Sequence, residues 1–291
     1  MFEQVTDHAP WAARGLHKAI SFNGRLIVVG GRAAGTYYGD AWESGNGVDW
    51  TQIASSVGVG QGSGLCSFGA CVHNRRLYIS NGLPDYSNQV VHSLDANAGV
   101  LDVVHAAFPG RYDGEMCSYD QRLWVMGGDT GNGFLNDVWA SRDGVQWEQI
   151  LATGHTRWTP RFDHRVVVHG GYMWLIGGVD DNGSCSDVWY SSDGFTWTQA
   201  ISVAPFGAIN DHGLVSYENR LVVVTGRKDS TVETKLWHSL DGTRWEGGAD
   251  LECPPRGEFG LEVFDNRIYL LGGVNGLTNY NDVWKSKGLE F

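Results

Sequence analysis

The sequence predicts an all-β fold, a propeller of six blades with four antiparallel strands each, on three observations. First, an apolar run closed by a small pair recurs six times: Leu26 to Gly31, Leu77 to Gly82, Leu123 to Gly128, Trp174 to Gly178, Leu221 to Gly226 and Ile268 to Gly273. The closing glycines lie 51, 46, 50, 48 and 47 residues apart, and such a period marks a repeat architecture. Second, a tryptophan segment follows most runs, as in Asn136-Asp137-Val138-Trp139 leading through Asp143-Gly144 to Trp147. Third, no stretch shows the 3.6-residue apolar period of a substantial helix.

Unit four shows why each element forms. Strand A is expected over His164 to His169, strand B over Tyr172 to Ile176, strand C over Asp187 to Ser191 and strand D over Thr196 to Ala200. Gly177-Gly178 ends strand B where positive φ or close backbone approach is needed. Asp193-Gly194 is a hairpin signal between C and D, and Trp189 and Trp197 supply area for packing one sheet on the next. A solenoid would need capping units, and neither end reads as one. Instead the last unit stops at 287–291 without a strand D, while Phe2-Glu3-Gln4-Val5 copies Trp147-Glu148-Gln149-Ile150. Residues 2–5 are therefore expected to complete blade 6, making 1–291 a single domain.

Blade 2 is the divergent copy. Asn81 replaces a glycine, Val91 a tryptophan, and Asp95 to Gly99 the compact turn. The glycine-rich stretch from Gly58 to Gly64 lacks the following lysine and the βαβ setting of a phosphate loop, so it reads as a rim loop.

A net charge of −12 argues against nucleic-acid or anionic-membrane binding, and a monomer is expected. No apolar run is long enough for a membrane span, and the N-terminus lacks a signal peptide's regions. The five cysteines have no metal-ligand spacing, and Cys71 and Cys117 share a strand position where a buried thiol is expected. The cytoplasm is the expected compartment; a mature secreted form behind a new Met1 has the same appearance.

These motifs resemble the kelch-repeat family: strand B ending in Gly-Gly, an Asp-Val-Trp strand C, then Asp-Gly and a strand D tryptophan. The resemblance extends to the Arg-x-x-His start of strand A, at Arg14 to His17 and Arg161 to His164. Ser191 to Trp197 is also similar to the Asp-box turn of sialidases, one residue short, and is read as convergent turn chemistry. Kelch motifs are structural and leave function open.

The resemblance implies that strand A lines the central channel, so aligned strand-A starts should form rings at one mouth. Arg14, Arg111, Arg161 and Arg256 occupy one position, with Leu65 and Ile209 in blades 2 and 5. Two residues on stand Leu16, Ser67, Asp113, Asp163, Asp211 and Glu258, followed by His17, His164 and His212 in blades 1, 4 and 5. Trp11, Phe108, Trp158 and Phe206 form an aromatic rim. Arginine forks suit carboxylate or phosphate, although the same arginines could tie blades together through aspartates. Below, Ala19, Ala70, Met116, Val166, Leu214 and Leu261 are expected to plug the channel and leave a cup.

Trp11, Arg14, His17, Arg111, Asp113, Trp158, Arg161 and Arg256 are thus the expected ligand contacts. The expected ligand is an anionic small molecule, a glycan or an acidic peptide. The alternative is an enzyme on an acidic sugar, mutarotase-, epimerase- or lyase-like, since mutarotases of such sugars include six-bladed kelch proteins. Asp163, His164, Asp211, His212 and Glu258 are then the candidate acids and bases. Three imidazoles could hold zinc or iron, but the family carries this histidine without metal, and no cofactor is expected. A protein-interaction scaffold is the third reading. The variable B–C loops, with Tyr37, Tyr38, Tyr86, Phe134 and Tyr280, place recognition at the strand-A mouth rather than among the Asp-Gly turns.

Overall fold

A computed structural model of the chain describes all residues except 1, 58–63, 81, 86, 88, 96–100, 156, 229 and 289–291. The readings of Asn81, Tyr86, the 58–63 segment and most of the blade 2 turn therefore lie outside the described residues. Six four-stranded antiparallel sheets appear in chain order. Strand A is Lys18–Phe22, Ala70–His73, Glu115–Tyr119, Arg165–His169, Gly213–Tyr217 and Gly260–Phe264 in blades 1 to 6. Each strand A contacts strand A of both neighbours, blade 6 meeting blade 1, so the ring is closed. Among the described residues there is no α-helix, and no helix is long and apolar enough to cross a membrane.

Blade 4 matches its expectation closely: Arg165–His169, Tyr172–Ile176, Val188–Ser191 and Thr198–Ile201. Blade 2, despite its lost motifs, still forms four strands, because alternation and turns decide strand pairing before any single tryptophan does. The closing strand is Phe2–Thr6, one residue longer than expected. Phe2 pairs Ser286, Glu3 pairs Lys285 and Gln4 pairs Trp284 before a bulge shifts Thr6 onto Val283. Phe2 itself is buried in the core shared by blades 5 and 6.

The core is a set of layers between blades. Between blades 3 and 4, Trp124, Met126, Trp158, Leu175 and Trp189 pack together. The C–D turns lock this packing. In blade 4 the Ser191 hydroxyl accepts from Gly194 N at 2.8 Å, and Asp193 accepts from the amides of Phe195 and Thr196 at 2.9 and 2.7 Å. Trp197 Nε1 donates to Gly194 O at 3.1 Å. Gly194 has φ 72°, and a Cβ there would lie 2.1 Å from the Trp124 ring of blade 3. Glycine is required twice over, by backbone conformation and by the neighbouring ring. Equivalent turns recur in blades 1, 3 and 5, which makes the Asp-Gly signature a device for seating one blade against the one before.

Candidate functional site

The arginine ring is built into the blades. Arg161 Nη1 and Nη2 grip Asp187 at 2.6 and 2.9 Å, Nη1 also donates to Gly177 O at 3.0 Å, and Nε to Thr159 O at 3.2 Å. Arg111 makes the same set with Asp137, Gly127 O and Pro109 O; Arg14 uses Asp40, Gly30 O and Ala12 O. Arg256 does so with Asp282, Gly272 O and Pro254 O. A tryptophan two residues after each aspartate donates its indole N–H to the same carboxylate, at 2.7 Å in Trp42, Trp139 and Trp189. All four arginines are at most 1% exposed. Four donor interactions per guanidinium are spent inside the blade, which leaves little to offer a ligand. The arginines do pair with aspartates, but within one blade and not between blades: these groups are clasps between the start of strand A and the start of strand C of the same sheet.

The aromatic rim is interior as well. Trp11 and Trp158 are each 1% exposed and meet the strand D tryptophans Trp50 and Trp197 edge-on at about 6 Å. Tyr38 and Tyr280 lie over the guanidinium groups of Arg14 and Arg256, with 4.1 and 3.9 Å from Cζ to ring centroid. Phe134 packs on Phe162.

The three histidines do not meet at the axis. Each ring is pressed against the first glycine of the preceding blade's pair. A Cβ at Gly272, Gly127 or Gly177 would come within 2.9, 2.5 or 2.9 Å of Cε1 in His17, His164 or His212. Burial, reinforced by nearby cationic arginines, lowers the pKa of His17 to about 3 and holds the other two well below the ordinary value. They are interblade wedges whose charged form burial disfavours. Among the described residues no three His, Cys, Asp or Glu side chains are grouped to hold a metal ion.

The ring two residues after the arginines is where the blades converge. Leu16, Ser67, Asp113, Asp163, Asp211 and Glu258 all have φ between 50° and 57°, the left-handed region. Their amides link the blades in a cycle. Leu16 N donates to Glu258 O, Ser67 N to Leu16 O, Asp113 N to Ser67 O, Asp163 N to Asp113 O, and Glu258 N to Asp211 O. The remaining link is through a side chain, Asp211 N to Asp163 Oδ2 at 2.7 Å. This collar carries four carboxyl groups in a low-dielectric setting. Burial and the nearby Asp211 charge push Glu258 up to about 7; burial lifts Asp113 to about 6 and Asp163 well above its ordinary value. Asp211 is paired with Arg227 at 2.9 Å.

Just inside the collar sits a cluster that the site residues expected from the sequence did not include. Glu115 Oε1 accepts from Lys18 Nζ at 2.7 Å and from Arg165 Nη1 at 2.8 Å. All three occupy the position directly after the histidine register, so aligning strand A one residue further would have found them. The apolar ring expected as a plug instead lines a cavity of about 410 Å³ on the turn side of this cluster, with walls from strand A of every blade. The polar closure is at the collar.

Outside the collar stand the B–C hairpins. Arg32–Ala33 pairs Thr36–Tyr37, Val179–Asp180 pairs Gly183–Ser184, and Arg227–Lys228 pairs Thr231–Val232. In blades 3 and 6 the long strands Arg122–Asp129, Phe134–Ser141, Arg267–Asn275 and Thr278–Ser286 extend the sheet itself to the same level. Arg32 is exposed and Leu277, at the tip of the blade 6 hairpin, is 100% exposed.

A family model described as the KLHDC2/KLHL20/DRC7 Kelch-repeats domain matches residues 70–273. No curated protein matches the chain.

Proposed function

Because the chain belongs to the kelch-repeat family of that description, we propose that it is a protein-recognition module whose partner seats on the face bearing the B–C hairpins. Kelch propellers generally serve as interaction scaffolds. The observation that carries the reading to this face is the difference between its constant and variable parts. The arginine clasps are the same in four blades and closed to solvent, whereas the B–C segments of blades 1, 3, 4, 5 and 6 differ from one another and expose Arg32 and Leu277 around half-buried Lys228, Asp113 and Glu258. Variable loops on a rigid frame are where recognition concentrates.

Of the expected ligands, the anionic ones lose their support once the guanidinium donors are assigned to Asp40, Asp137, Asp187 and Asp282. A partner segment with a lysine or arginine facing the collar fits better, since four carboxyl groups gather there in a chain of net charge −12. Catalysis on an acidic sugar keeps one supporting feature, the pairing of Glu258 at about 7 with Asp113 at about 6. It lacks the histidines, which are sealed between blades. Selection of random dodecapeptides on the immobilised protein tests the proposal. Peptides enriched in basic residues, losing affinity on Glu258→Gln or Leu277→Asp, are expected. Enrichment of acidic peptides, or binding that ignores both substitutions, overturns it.

A further inference from the structure

Asparagine followed by glycine is chemically labile, because the glycine amide reaches the preceding carboxamide with no side chain in the way. The chain carries six such pairs, and five fall on described residues: Asn23-Gly24, Asn46-Gly47, Asn132-Gly133, Asn182-Gly183 and Asn275-Gly276. The fold treats them unequally. Asn46-Gly47, in the C–D turn of blade 1, is tied at every reacting group. Gly47 N donates to Ser44 Oγ at 2.8 Å, and Asn46 Oδ1 accepts from Val48 N and Asp49 N at 2.8 and 2.9 Å. Asn46 Nδ2 donates to Asp49 at 2.9 Å, and the Tyr269 ring closes over Gly47. Asn275 Nδ2 donates to Pro255 O at 3.0 Å, Gly183 is paired with Asp180 in a hairpin ladder, and Asn23 is held at φ 52° in a tight turn.

Asn132-Gly133, at the tip of the blade 3 B–C hairpin, is the opposite case. Thr130 N and Oγ1 donate to Gly133 O at 3.2 and 3.0 Å, and Asn132 N donates to Thr130 Oγ1 at 3.3 Å. These bonds hold the loop but leave out the two reacting groups. Among the described residues neither the Asn132 carboxamide nor Gly133 N has a hydrogen-bond partner. Both residues are exposed, and a Cβ on Gly133 would meet nothing within 4 Å, so there is room for a ring to close. Asn132 is also outside the left-handed region that fixes Asn23.

We infer that Asn132 is a site of spontaneous deamidation, which turns the tip of the blade 3 hairpin from neutral to anionic. Gly133 N attacks Asn132 Cγ; the new N–Cγ bond closes a succinimide, the Cγ–Nδ2 bond breaks, and the amide proton leaves with Nδ2 as ammonia. Water then opens either imide carbonyl, giving aspartate or isoaspartate and releasing a proton. The hairpin rises from Asp129, which is bridged to Tyr112 beside the collar residue Asp113, so the new carboxylate joins an acidic face. Resting on the recognition reading above, a basic partner is then held more tightly by the aged protein than by the fresh one.

The test keeps the full chain folded at pH 8 for days, then maps each Asn-Gly peptide by mass spectrometry with aspartate and isoaspartate separated. Asn132 should convert at least tenfold faster than Asn46 and give both products. In denaturant, where the dipeptide alone sets the chemistry, the two should convert at similar rates. Equal rates at the two sites in the folded chain, or an intact Asn132 after the denatured chain has converted, overturns the inference. Neither outcome bears on the partner reading, which the peptide selection tests separately.

Discussion

Blades 1, 3, 4 and 6 carry the clasp, and blades 2 and 5, opposite each other in the ring, do not. The loss is coordinated. Where Arg is replaced by Leu65 or Ile209, the aspartate is replaced too, by Val90 and Lys235. Leu65 and Ile209 are 2% and 0% exposed, so an aliphatic side chain fills the space of the guanidinium. Blade 5 keeps the tryptophan, and Trp237 Nε1 is left buried without a hydrogen-bond partner. It also replaces a glycine with Thr225, whose hydroxyl accepts from Lys235 N at 2.9 Å. Both kinds of blade form the same four-stranded sheet. The clasp is thus one of two solutions to the same packing problem, as expected for buried ion pairs, whose desolvation cost offsets much of their attraction.

Four experiments break or sharpen this contrast. The largest effect should come from removing residues 1–6, which leaves clasped blade 6 without its outer strand. Loss of the buried Phe2 alone costs about 3–5 kcal/mol, and a melting temperature unaffected by truncation would rule out the closure. Next, Arg161→Met strands Asp187 in the blade interior and should cost about 3–5 kcal/mol by chemical denaturation. The double variant Arg161→Leu with Asp187→Leu, which imitates the unclasped chemistry, should recover most of that. If it stays as unstable as the single variant, the two kinds of blade are not equivalent solutions.

A smaller difference separates the tryptophans. Trp189→Phe loses a hydrogen bond to a carboxylate and Trp237→Phe loses none, while both lose the same ring. The first should be the more damaging by about 1–3 kcal/mol. Equal losses would mean that the indole bond contributes nothing to the clasp. The smallest effect concerns the collar. Glu258 has a folded pKa of about 7 against 4.5 ordinarily, so the folded state binds the extra proton and gains stability as pH falls from about 7 to about 4.5. Glu258→Gln should therefore raise the melting temperature over wild type at pH 8 and barely change it at pH 5. A constant offset across that range would count against the assignment.

The fold was legible because it is written six times. Alternation, Gly-Gly and Asp-Gly are local signals, and even the closing strand could be read from Phe2 matching Trp147. The site was less legible because burial is not local. Arg14, Arg111, Arg161 and Arg256 look like a ligand ring until their partners are known, and each partner lies 26 residues downstream. That constant interval, together with the joint loss of both residues in blades 2 and 5, was present in the sequence as the sign of a pair. The histidines were misplaced for a related reason. Their register was right, but strand side chains in a propeller point at the neighbouring blade rather than at the axis, so His17, His164 and His212 meet glycines.

The collar also has a mechanical side. Five of its six links join main chain to main chain, so no side-chain substitution other than proline can remove their donors. The link between blades 4 and 5 hangs on one carboxyl oxygen of Asp163. Blades 4 and 5 keep main-chain links further out, Gly178 N to Ile209 O at 2.9 Å and Ile209 N to Cys185 O at 3.0 Å, so only the collar link of this junction depends on a side chain. Within the collar, that junction is the one a side-chain change can loosen, a quarter turn away from blade 6, where the two chain ends are laced together.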